Sequence, residues 1–301
     1  MALNNYQDRI WKSNCLAHEA NIKSTFERLG IKHQLVDALW SVEENSETFD
    51  DKPFYTLTDG LVTDNHFRFL NNSINVAPEF YSIYRCPTID VTQYPNYKYN
   101  CLINRISGER YLVLKRLWQA NMLDKGIISF NCDMREFLQH TPLEEYFKSY
   151  GIDLSDSEEL YQQLPLMTDL DPDQAAMRSH ITLVCETYCT PRTITFSEKI
   201  FRALQTPRPW LLICSPNSIN VLRDYEFDVL DDVVDHSYDE ETEFESRLDK
   251  LLPQLVQDRV FDQDRYQQAV EHNQERLDKL AKDWPHKLSY VIQSIGARNQ
   301  S

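Results

Sequence analysis

The chain has 301 residues, 42% of them hydrophobic and 12% aromatic, and a formal net charge of −16. An acidic balance of that size disfavours non-specific binding to a phosphate backbone, although Arg105, Arg110, Lys115 and Arg116 form one local basic cluster. The first thirty residues lack a basic-then-apolar leader, and the longest clean apolar run, Trp210 to Cys214, is far short of a membrane span, so the expectation is a soluble cytoplasmic protein with no membrane partner.

In chain order, residues 8–29 space their apolar positions as an amphipathic helix ending at Gly30, and Ile31 to Leu39 reads as a strand. Residues 41–97 are irregular and rich in Asn, Asp, Pro and aromatics, with strand-like pieces at Phe54 to Leu57 and Phe80 to Tyr84. From Tyr99 the texture changes. Strands are expected at Tyr99 to Asn104, Gly126 to Phe130, His180 to Glu186 and Trp210 to Cys214. Between them fall helices at 108–123, at 134–140, from Thr141 to Gly151, at 155–164, at 197–205 and at 216–224. Strands alternating with helices imply a parallel sheet with helices on its faces, hence an α/β protein. The segment from Asp239 onward reads as charged helix with an apolar stripe through Leu248, Leu251, Leu252, Leu255 and Val256. One boundary is expected, dividing residues 1–98 from residues 99–301.

Seven cysteines, an odd number, fit buried thiols in a reducing compartment better than a disulfide framework. The close pair Cys185 and Cys189 has no second pair at metal-ligand spacing. "TDLDPDQ" offers Asp169, Asp171 and Asp173 for a divalent cation, but Pro172 and polar flanks read more simply as an exposed turn, and no metal is expected.

The chemistry concentrates at Ser197-Glu198-Lys199, a polar turn between two apolar strands. In an open parallel sheet, ligands sit beyond the carboxyl ends of the strands, where loops lead into helices. Glu186 ends one strand there, and Glu198 and Lys199 open the next helix, a pattern that suits a diphosphate and a ribose diol and is equally what plain helix capping produces. With 6 glycines and neither a G-x-G-x-x-G nor a P-loop, the two common phosphate cradles are missing.

"LVCETYC", "TFSEKIFRAL" and "TPRPWLLICSPNS", with "CLINRISGERYLVLKRL" upstream, resemble the donor-binding segment of the α1,3-fucosyltransferases. The resemblance extends to fucosyltransferase-like proteins predicted in phages and giant viruses, through "VVDHSYDEETEFESR" with its Tyr238, Asp239 and Arg247. It implies a GT-B glycosyltransferase with a Rossmann-like carboxy-terminal donor domain and a smaller amino-terminal acceptor domain. Glu198 would bind the ribose, and Lys199 and Arg110 would offset charge on the leaving diphosphate. Asn104, Glu186, Thr195, Ser197 and Tyr238 complete the expected donor set. The general base is sought in the amino-terminal part at Glu79 or Asp64, with Asp59 and His66 as further candidates. The nucleotide-diphosphate sugar is a co-substrate, and no cofactor is implied. Thr187 and Ile194 stand where the family has Asn and Tyr, which leaves the sugar open. The acceptor is unassigned: a glycan, or hydroxymethylated pyrimidine in phage DNA. A non-catalytic glycan- or partner-binding relative is the alternative of another class.

Overall fold

The computed structural model describes residues 34–37, 54–58, 61–62, 73–75, 95–103, 107–130, 155–164, 171–186, 189, 194–260 and 262–298. The expected helices at 8–29, 134–140 and 141–151 and the strand at Phe80 to Tyr84 lie outside the described residues. The chain divides into two compact units, Met1–Tyr84 with Glu275–Ser301, and Arg85–Gln274.

In the first unit β1 (Gln34–Asp37), β2 (Phe54–Thr58) and β4 (Ser73–Asn75) form a three-stranded parallel sheet in the order β1-β2-β4, and β3 (Leu61–Val62) is a two-residue strand. Gln34 pairs with Phe54 and Thr56 with Ser73. β1 and β2 fall where apolar runs predict them. β3 and β4 do not, since they lie in the stretch expected to be irregular and "SIN" carries one apolar residue.

The second unit holds β5 (Tyr97–Ile103), α1 (Gly108–Gln119), β6 (Gly126–Phe130), α2 (Ser157–Gln163), α3 (Pro172–Met177), β7 (Ser179–Cys185), β8 (Thr195–Phe196), α4 (Glu198–Leu204), β9 (Trp210–Ile213), α5 (Ser218–Asp224) and α6 (Phe244–Leu251). Residues up to 274 of α7 (Gln263–Arg298) also belong to it. Seven α-helices are thus present among the described residues, with single 3-10 turns at Leu123–Lys125, His236–Glu240 and Leu252–Val256. None of these helices is long and apolar enough to cross a membrane.

Strands β6, β5, β7 and β9 form, in that order, a four-stranded parallel sheet, so the molecule is α/β as the alternation predicts. Cys101 pairs with Ile128 and with Leu183, and Leu183 with Leu211. Because side chains alternate along a strand, Tyr99, Cys101, Ile103, Ile181, Leu183, Cys185, Leu211 and Ile213 point to one face. There they pack with Tyr111, Val113, Leu114 and Leu117 of α1, Leu160 of α2 and Leu248 and Leu251 of α6 in one core. The apolar stripe read in residues 248–255 is therefore core. At the edge, Gly126 is required by its neighbour: a Cβ there would lie 2.4 Å from Cζ of Tyr99, whose hydroxyl donates to the Met122 carbonyl (2.9 Å).

The Asp-rich segment corrects a detail. Its second half is α3: Asp171 is the N-cap, its carboxylate accepting the Asp173 amide (2.9 Å), and Pro172 takes the first helical position.

Candidate functional site

Numbered by chain order within the sheet, the strands run second, first, third, fourth, and the order reverses between β5 and β7. At such a point the connections leave in opposite directions and a crevice forms beyond the carboxyl ends of the strands.

Arg110 is carried there by the helix that follows β5. Ser107 caps α1, its Oγ accepting the Arg110 amide (3.4 Å), and the Arg110 Nη2 donates to the carbonyl of Cys185, the last residue of β7 (2.9 Å). The guanidinium therefore links the two strands at the reversal. It is 3% exposed, so most of its charge faces the protein.

Glu186, the next residue after β7, is 1% exposed. One carboxylate oxygen accepts the Ser197 amide (2.9 Å) and the other the Ser197 hydroxyl (2.5 Å). Ser197 is also the N-cap of α4, and its Oγ accepts from the amide (3.4 Å) and the Nζ (3.1 Å) of Lys199. A hydroxyl has one proton and two lone pairs. Giving the proton to Glu186 turns both lone pairs toward Lys199, and a chain from carboxylate through hydroxyl to ammonium results. Thr195 belongs to β8 and Glu198 is the first residue of α4. Arg110, Glu186, Ser197 and Lys199 are thus all tied, directly or through one another, to the carboxyl end of β7.

Tyr238 is placed differently. Its ring is fully enclosed, and its hydroxyl accepts the amide of Leu212 within β9 (3.0 Å). It holds a strand from inside the core. Asp239 and Arg247 continue that function for the loop after β9. The Asp239 carboxylate accepts the Ile219 amide (2.8 Å), its carbonyl accepts the Asn217 amide (2.8 Å), and Asn217 adopts a left-handed φ of 65°. Arg247 donates through Nη1 to the Cys214 carbonyl and through Nε and Nη2 to the Glu241 carbonyl. Burial pushes the Asp239 carboxyl up to about 6, against the Ile219 amide and Arg247, which favour its charged form.

Cys101, Cys185, Cys189 and Cys214 are buried and unbridged, with the sulfurs of Cys101 and Cys185 3.8 Å apart. The Cys101 thiol is pushed well up by its hydrogen bond to Cys185 and then by burial, and the Cys189 thiol by burial. Thiols held protonated are poor nucleophiles and poor metal ligands. No His, Cys, Asp and Glu cluster suited to a metal ion occurs among the described residues.

A cavity of about 450 Å³ lies elsewhere, between α5 and residues 231–240, lined among others by Arg223, Asp231, Asp235, His236, Asp239 and Glu240. Its carboxylates would repel a diphosphate, and none of Arg110, Glu186 or Lys199 lines it. Much of its lining, within residues 233–240, falls in the run "VVDHSYDEETEFESR" that carries the viral part of the resemblance, and Asp231 and Asp232 precede it. The candidate bases Glu79, Asp64, Asp59 and His66, together with Asn104 and Thr187, lie outside the described residues. Set against known proteins, the chain matches no family model, and no curated protein or solved structure matches it at significance.

Proposed function

We propose that this chain is a metal-independent glycosyltransferase of GT-B type that moves a sugar from a nucleotide-diphosphate donor to a hydroxyl acceptor. The reading rests on one observation: the two cations named from the sequence, Arg110 and Lys199, are both tied to the carboxyl end of β7, where the strand order reverses. Glycosyl transfer builds negative charge on the departing diphosphate, and fixed cations aimed at it lower the barrier without a metal. Arg110 comes from the helix after β5 and Lys199 from the helix after β7, so a diphosphate in that crevice is approached from both sides. The parallel sheet β1-β2-β4 supports the two-domain part of the reading, because a GT-B enzyme has a second parallel-sheet domain. The acceptor and general base are assigned to that amino-terminal part, with Glu79 and Asp64 as the residues to test first.

The test is thermal shift with a panel of nucleoside diphosphates, followed by donor turnover. At least one diphosphate is expected to raise the Tm of the wild type by mass action and to leave Lys199→Ala unmoved. Absence of a response to every nucleotide would overturn the proposal.

A second reading, a non-catalytic relative that binds a glycan or a partner, is favoured by the inward commitment of the same groups. Arg110 is 3% exposed, and both oxygens of Glu186 are engaged by Ser197. Nucleotide stabilisation without hydrolysis or transfer of any offered donor selects this reading.

A further inference from the structure

The cavity of about 450 Å³ beside α5 is lined by five carboxylates and one guanidinium. Asp231, Asp232, Asp235 and Glu240 are exposed at its rim, whereas Asp239 is 3% exposed and belongs to its floor. Two of these groups are already paired. Asp231 receives the Arg223 guanidinium on both oxygens (2.5 and 3.1 Å), and Asp232 receives that of Arg265 (2.6 and 2.7 Å). Lys250, which acts on Asp235 and Glu240 only at a distance, is paired with Glu241. His236 adds no positive charge at neutral pH, because burial lowers its pKa while its Nε2 donates to the Val229 carbonyl (2.8 Å).

Asp235, Asp239 and Glu240 remain, with no ion pair among the described residues. Asp235 accepts the Ser237 amide (2.9 Å) and keeps its charge. Asp239 makes the stronger demand. Its Oδ2 accepts the Ile219 amide (2.8 Å), but its Oδ1 is enclosed and accepts no hydrogen bond. Burial raises this carboxyl to about 6, so at about pH 7.5 it is ionised, and an enclosed anionic oxygen without a donor is costly. The cavity that Asp239 lines is the place from which a donor can reach it. A metal ion does not suit the arrangement: the described His, Cys, Asp and Glu side chains form no group that could hold one, so these carboxylates do not converge on a point. Val233 and Val234 line the same space and add apolar surface. Separated carboxylates, an apolar wall and a volume far above that of one ion fit a methylene chain that carries several ammonium groups.

We propose that this cavity binds an aliphatic polyamine, one ammonium of which reaches Asp239 while the others meet Asp235 and Glu240 at the rim. An ammonium has three N–H donors and no acceptor, so it gives Oδ1 its missing bond and brings in no unmet lone pair. The site does not rest on the glycosyltransferase reading, since neither Arg110 nor Lys199 lines it.

The experiment titrates spermidine into the full-length chain by isothermal titration calorimetry at about pH 7.5 and constant ionic strength, which holds the diffuse attraction of a chain of net charge −16 fixed. One saturable site is expected, with butylamine, a single ammonium, bound about tenfold more weakly. Asp239→Asn, which keeps an acceptor for the Ile219 amide, should raise the Kd for spermidine about tenfold, the loss of one charge-assisted pair. The exposed Glu240→Gln, which leaves the core untouched, should raise it about threefold. Glu158→Gln removes an exposed charge from α2, and Lys199→Ala a cation from the crevice, and both should bind as wild type does. Heat that does not saturate, magnesium or butylamine binding as tightly as spermidine, or an unchanged Kd in folded Asp239→Asn and Glu240→Gln would overturn the proposal.

Discussion

Replacing Asp239 by Asn separates a buried charge from the hydrogen bonds it makes. Asparagine keeps an acceptor for the Ile219 amide and puts its Nδ2 where Asp239 Oδ1 has no hydrogen-bond partner, so the geometry is retained and the ionisation is lost. Burial raises the Asp239 carboxyl from 3.8 to about 6. The native state therefore holds this proton more tightly than the unfolded chain. The stability it contributes is fully present below the unfolded value and is lost as pH rises through the folded one. At about 1.4 kcal/mol per pH unit the effect is about 3 kcal/mol, most of it falling between about pH 4 and about pH 7.5. Urea unfolding of wild type and Asp239→Asn at those two pH values measures it as a double difference, in which every other titrating group cancels. The variant should gain on the wild type by about 2–3 kcal/mol at the higher pH. An equal difference at both would show that Asp239 ionises in the native state as freely as in the unfolded one, and the account of the loop after β9 would fail.

Gly126→Ala would force a methyl group to within 2.4 Å of a Tyr99 ring pinned by its hydroxyl on Met122. A loss of about 1–3 kcal/mol in urea unfolding is expected, and a variant as stable as wild type would contradict the packing at this edge. The thiols of Cys101, Cys185, Cys189 and Cys214 should resist alkylation in the native protein and react on unfolding, read as mass added per peptide. Rapid native labelling at Cys101 or Cys185 would contradict the enclosed core.

How much of the fold was legible depended on where the information sat. β6 and β9 are short apolar runs bounded by Gly126 and Pro209, and their limits read nearly as they are. β7 behaves the same way because both its faces are covered. α3 was missed because Asp171-Pro172 is both a turn signal and a cap followed by a first helical residue, and six residues are too few for a helical period to show. β4 has no pattern of its own: three residues with one apolar side chain become a strand through pairing with β2, which is a property of the sheet.

The site divides along the same line. Arg110, Glu186, Ser197 and Lys199 were legible as residue types at the ends of predicted elements, since their positions follow from the strand–helix alternation. Their orientation was not, because the partners that set it carry no sequence signal. Arg110 bonds a main-chain carbonyl, which every residue type supplies, and Tyr238 bonds a main-chain amide. Glu186 meets Ser197 eleven residues on, across a gap no helical or strand period spans. The basic row at the amino ends of the strands is more remote still: Lys98, His180 and Arg208 are spread over the chain, and only the register of β5, β7 and β9 brings them level. A motif records which side chains are present, while pairing decides whether a cation faces a ligand or a carbonyl. Arg110 and Lys199 share one strand end but differ in this respect. Arg110 is embedded and fixes the distance between β5 and β7, and Lys199 is tethered by its own helix cap. On the proposed reading a diphosphate would have its position set by Arg110, and Lys199→Ala is expected to weaken its binding with less cost to the fold than a change at the buried Arg110.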